Sequence, residues 1–178
     1  DEVEDVVRRL RKIVEDIRRD VERVVEEHDR VVRKLKRRVE EAVEEHRKVL
    51  EEIKKVKENG GSERELEEIA KKMEESSRRV EEEIERIARE LDRTSEEVKK
   101  RLEKLLRDVR EEVKKVAKDG GDREDLKRVL KEVEDVVREV DKILTDATER
   151  VKRVITEVKD ILRRVHEEVR EVIKRVKE

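Results

Sequence analysis

Three histidines hold most of the chemical possibility in this chain. His28, His46 and His166 could ligate a metal, change charge near neutral pH, or join a buried hydrogen-bond network. Their placement narrows these options. His28 and His46 lie 18 residues apart, and the same step leads from Ser77 to Ser95 and from Thr148 to His166. One further step in each series reaches an apolar residue: Leu10, Val113 and Leu130. Three segments running up, down and up would stack these nine residues in three levels. Leu10/Val113/Leu130 forms a dry level, and His28/Ser95/Thr148 and His46/Ser77/His166 form polar ones. Thr94 and Thr145 could extend the first polar level and Ser76 the second.

The segments that must position these residues are helical. All four glycines fall in two pairs, Gly60-Gly61 and Gly120-Gly121, which divide the sequence into thirds. Each pair is followed by a capping residue, Ser62 with Glu65 three positions on, and Asp122 before Arg123-Glu124-Asp125. This predicts helices over about 2–59, 63–118 and 123–178. At 1.5 Å per residue each would be roughly 85 Å long. Turns this short force consecutive helices to lie antiparallel. The expected fold is all-α, a single straight up-down-up three-helix bundle over 1–178.

The apolar residues keep one phase throughout. Val3, Val6, Val7, Leu10, Ile13, Val14 and Ile17 are matched 18 residues later by Val21, Val24, Val25, His28, Val31, Val32 and Leu35. Eighteen residues in five turns is 3.6 per turn, so the stripe stays on one face without supercoiling. It covers about 120° of the helix, with charged residues on the rest. Helix 2 contains one contrary signal, Leu91-Asp92-Arg93-Thr94-Ser95-Glu96-Glu97, which reads as a helix end followed by a capping box. Yet Leu66, Ile84 and Leu102 share a phase across it. The prediction is a continuous helix with Thr94 and Ser95 turned inward.

Composition excludes several functions. Of 178 residues, 58% are charged and 33% hydrophobic, with no aromatic residue, Pro or Cys. A net charge of -2 from 51 basic and 53 acidic residues lacks the dominant sign of a nucleic-acid or membrane-surface binder. The basic run Arg33-Lys34-Leu35-Lys36-Arg37-Arg38 reads as a solvated helix face, having no aromatic residue for base stacking. No run is long and apolar enough to span a membrane, and no signal segment directs export. The chain opens on Asp1 rather than Met, as a trimmed chain would. It is expected to be soluble, and cytoplasmic on recombinant expression. No phosphate loop, thiolate site or marked carboxylate pair is present, so no enzyme activity and no small-molecule substrate are expected. His46 and His166 fall short of the three or four ligands usual for zinc, and their level has no row of small residues to house a porphyrin, so no metal or cofactor is expected.

Together, the paired glycine turns, the Val/Leu/Ile stripe, the Glu/Lys/Arg/Asp surface and the level-matched His, Ser and Thr resemble the de novo designed helical bundles with buried hydrogen-bond networks. That resemblance implies a scaffold or assembly module in which polar layers fix helix register and partner choice. Physically, a polar group in the stripe that lacks a partner costs on the order of 1–3 kcal/mol. A helix displaced by one turn would face such groups with Val or Leu. Two further expectations attach to the same residues. The bundle would be self-contained, or it would be the three-helix part of a larger assembly with a second copy or another designed helical partner. Burial of neutral imidazole resists protonation, so stability present at neutral pH would be lost as the pH falls below about 6.5.

Overall fold

The computed structural model describes residues 2–118 and 124–178. The second glycine pair, with Asp119, the expected cap Asp122 and Arg123, lies outside the described residues. Three α-helices make up the remainder: α1 (Glu2–Glu58), α2 (Glu63–Lys118) and α3 (Glu124–Lys177). The ends that lie within the described residues, at Glu58, Glu63 and Lys177, fall within a residue of those predicted. With no Pro and no internal Gly, nothing in the helices interrupts the backbone ladder. No strand occurs among the described residues, and the helices pack as a three-helix bundle.

The suspect stretch of α2 is continuous helix. The Thr94 hydroxyl donates to the Glu90 carbonyl 3.0 Å away, one turn back in the same helix. It therefore acts inside a helix rather than starting one.

The first turn shows why glycine is needed. Gly60 has φ 66°, the left-handed region that closes a helix. Its N–H donates to the Lys57 carbonyl at 3.2 Å, and the Gly61 N–H donates to the Val56 carbonyl at 2.7 Å. These two bonds satisfy carbonyls that the helix end would otherwise leave open. A Cβ on Gly61 would collide with the Val56 side chain and lie 2.9 Å from its carbonyl oxygen. Ser62 then caps α2, its Oγ accepting from the Glu65 N–H at 3.3 Å. Gly60→Ala should destabilise the fold by about 1–2 kcal/mol through the forced positive φ. Ser62→Ala should cost about 1 kcal/mol through the lost cap. Urea denaturation of the two variants checks both values.

Packing falls into two compact units, each built from a section of all three helices. Unit 1 comprises Asp1–Asp29 and Glu90–Glu149, and unit 2 comprises Arg30–Arg89 and Arg150–Glu178. The core of unit 1 centres on Leu10, Ile17, Leu102, Val109, Leu126 and Leu144. Unit 2 has a core cluster of Ile53, Leu66, Ala70, Met73, Val165, Val169 and Ile173. Burial follows the 18-residue step: Ile17, Leu35 and Ile53 are all buried, as are Leu66, Ile84 and Leu102, and Leu126, Leu144 and Leu162. Each such side chain, fully buried, contributes roughly 1.5–3 kcal/mol of apolar transfer free energy.

Candidate functional site

The candidate polar residues sit on the same stripes as this core. In unit 1, His28 is 1% exposed and Ser95 3%. Thr148 and Thr94 are half-buried, while Thr145 is exposed. An ion pair fixes the local register, since Arg101 Nη1 lies 2.6 Å from Asp20 Oδ2. Moving about two turns from that pair along either helix leads to His28 on α1 and Ser95 on α2. The His28 Nδ1–H donates to the Val24 carbonyl at 2.7 Å, one turn back on its own helix. That bond leaves Nε2 as an acceptor, and Nε2 is buried without a partner. Ser95 Oγ is also buried without a partner. The two are chemically complementary, a lone pair and a hydroxyl proton. The expected layer is thus marked by burial, and its members are not joined by hydrogen bonds.

In unit 2, His46 is 8% exposed and makes the opposite choice of nitrogen. Its Nε2 is 3.1 Å from Glu168 Oε2 on α3, so Nε2–H donates to the carboxylate. Nδ1 is left as the buried, unpartnered atom. His166 is half-buried and does not turn to His46. Its Nε2 accepts from Arg170 Nε at 3.3 Å and lies 3.4 Å from Glu74 Oε1, to which Arg170 is also paired. A neutral Nε2 cannot both accept from Arg170 and donate to Glu74; the arginine contact, with its permanent donor, takes precedence. Each histidine of this level therefore engages a charged partner. The sequence reading missed Glu168, Glu74 and Arg170. Their only signal was position beside the stripe, which many charged residues of this chain share.

Ser76 and Ser77 are half-buried and line a groove of about 280 Å³ in unit 2. The groove opens between α1 and α2 beside Ala42, Val49, Ile69 and Met73, with Leu162 and Val165 of α3 contributing to its lining. Its origin is legible in the 18-residue step. Ala42 occupies the phase held by Val24, and Ser76 that held by Thr94, so the repeat in unit 2 places smaller side chains there. Thr156, whose orientation the sequence left open, is exposed and donates to the Lys152 carbonyl at 3.0 Å. Among the described residues, no group of three or more His, Cys, Asp or Glu is placed to hold a metal ion. No described helix is long and apolar enough to cross a membrane.

The surface of unit 2 contains a charge pair with a definite pH signature. Arg38 Nη2 donates to Glu83 Oε2 at 2.8 Å, and Lys34 Nζ lies 3.9 Å from Glu83 Oε1. The Arg38 hydrogen bond is the main cause holding the Glu83 carboxyl below its ordinary 4.5, and burial opposes it. A depressed folded-state value means that the stabilisation is fully present above about pH 4.5 and is lost as pH falls through the folded value. For a pair this exposed the contribution is at most about 1 kcal/mol. Glu83→Gln should therefore lower the denaturation midpoint slightly at pH 7, with the difference from the parent shrinking as the pH falls below 4.5. Parallel denaturation curves on either side of that pH test this.

The fold and these residues define the chain as an all-α three-helix bundle with buried polar side chains in its core. No known protein family matches the sequence, and no curated protein matches it. Among solved structures it is similar to a computationally designed three helix bundle, at 23% identity and a TM-score of 0.47, covering 99% of this chain and 92% of the other.

Proposed function

We propose that the chain is a designed structural scaffold without natural biochemical activity, whose buried His, Ser and Thr positions set helix register and specificity. One observation carries this reading. The same 18-residue step places Leu10, His28 and His46 in one phase, and all three are buried. A polar side chain is thus built into a core position where an apolar one fits, and such a substitution gives up stability in return for specificity. A uniform Val/Leu/Ile interior with a balanced charged surface supports the same reading.

The experiment is a distance measurement between spin labels at exposed positions, Glu27→Cys on α1 and Arg93→Cys on α2. The parent should give a narrow distribution, and adding His28→Leu with Ser95→Val should broaden it. An unchanged narrow distribution would remove the register role.

A second reading, a three-helix part of a larger assembly, is favoured by the groove in unit 2 and by Val43, which is an exposed apolar side chain on α1. Light scattering after size exclusion separates the two. A folded monomer of 21.5 kDa supports the self-contained scaffold, and a dimer supports the assembly.

A further inference from the structure

Among the described residues, ion pairs of α2 with its neighbours run with one polarity in unit 1 and with the opposite polarity in unit 2. In unit 1, α2 supplies the cation: Arg101 meets Asp20 of α1 at 2.6 Å, and Arg110 and Lys99 meet Glu134 and Asp141 of α3, both at 3.5 Å. In unit 2, α2 supplies the anion. Glu83 meets Arg38 of α1 at 2.8 Å, Glu85 meets Lys159 of α3 at 3.0 Å, and Glu74 pairs with Arg170.

The reversal is tied to the repeat. Arg38 is one 18-residue step from Asp20, and Glu83 is one step from Arg101. The second pair is the first with its charges exchanged.

We propose that this exchanged pair is a register code that stops α2 from pairing one repeat out of step with α1 of a second copy of the chain. The core alone does not prevent such pairing, because Leu66, Ile84 and Leu102 share one phase and meet equivalent stripes after a slide of 18 residues, about 27 Å. The polar residues oppose it only in part. A slide of one step again places one histidine opposite a serine, His28 with Ser77 or His46 with Ser95, while setting Ser95 against Leu10 or His28 against Val113. Within one chain the short turn at 59–62 already holds α1 and α2 in step. Between chains no turn does, and helix ends left bare by the slide can be covered by a further copy, an open-ended mode of assembly. The charges distinguish the two registers. A slide in one direction sets Glu83 against Asp20, and a slide in the other sets Arg101 against Arg38. Attraction becomes repulsion either way. Exposed pairs are individually weak, so the code acts through the sign of the charges and not through the strength of any one pair.

The test trades the two α2 charges, leaving composition and net charge unchanged. In Glu83→Arg/Arg101→Glu, like charges meet in the native register and opposite charges meet one step out. At about 20 mM salt this variant should show a several-fold larger fraction of species heavier than the parent's by light scattering, and the excess should vanish near 1 M salt, where screening is nearly complete. Adding Asp20→Arg and Arg38→Asp should restore the parent's size distribution. A double variant with the parent's size distribution and thermal midpoint at low salt overturns the proposal. So does a quadruple variant that fails to recover, including one that fails to fold. Because His28 and Ser95 are untouched, failure here leaves the spin-label test of the polar positions independent.

Discussion

Leu144→Ala should lower the free energy of unfolding by about 2–5 kcal/mol, whereas Ile143→Ala, one residue away, should change it by less than about 0.5–1 kcal/mol. Leu144 is 0% exposed and belongs to the core of unit 1. Ile143 is 36% exposed, so truncating it opens no enclosed cavity. The expected range for Leu144 is wide because the cost depends on how far the surrounding Val and Leu side chains can collapse into the space. With no aromatic residue anywhere in the chain, no large ring is available to swing into the gap. That places the expectation toward the upper end. Chemical denaturation of the two variants under identical conditions is the measurement; equal midpoints would show that burial in unit 1 does not govern stability.

The contrast between Leu144 and its neighbours also shows what could be read in the sequence. The 18-residue step identified most of the residues that lie inside, among them Leu10, His28, Leu35, Ile53, Ile84, Ser95, Leu102 and Leu144, although Val43, one step on from Val25, is 40% exposed. The continuity of α2 through Thr94 was legible for the same reason, because phase is preserved only if the helix does not break. Thr145 was not legible. One residue past Leu144 lies 100° further round the helix, enough to move from the stripe to solvent, and Thr145 is exposed. The partners of His46 and His166 were hidden for a different reason. Glu168, Glu74 and Arg170 have long side chains rooted outside the stripe that reach over its edge, and apolar periodicity does not report that reach. His166 is half-buried and meets charged neighbours, and His46 shares the phase of His28 yet has its Nε2 reached by Glu168, whereas the Nε2 of His28 has no partner.

That distinction makes His28 and Ser95 the residues whose replacement should stabilise the fold. His28→Leu combined with Ser95→Val should raise the free energy of unfolding by about 1–3 kcal/mol. The buried Nε2 of His28 and Oγ of Ser95 have no partners, so their removal gives up no hydrogen bond between helices. The Nδ1 bond to the Val24 carbonyl is lost, but that carbonyl already belongs to the backbone ladder of α1. Shape is the remaining question, and the chain supplies its own template. One step away in the same phases are Leu10, buried at 4%, and Val113, packed against the core of unit 1. The variant thus rebuilds at one level what the fold already accommodates at another. Urea midpoints of parent and variant at pH 7.5 decide it. A variant less stable than its parent at pH 7.5 would mean that His28 and Ser95 form a hydrogen bond in solution worth more than the apolar contacts replacing it.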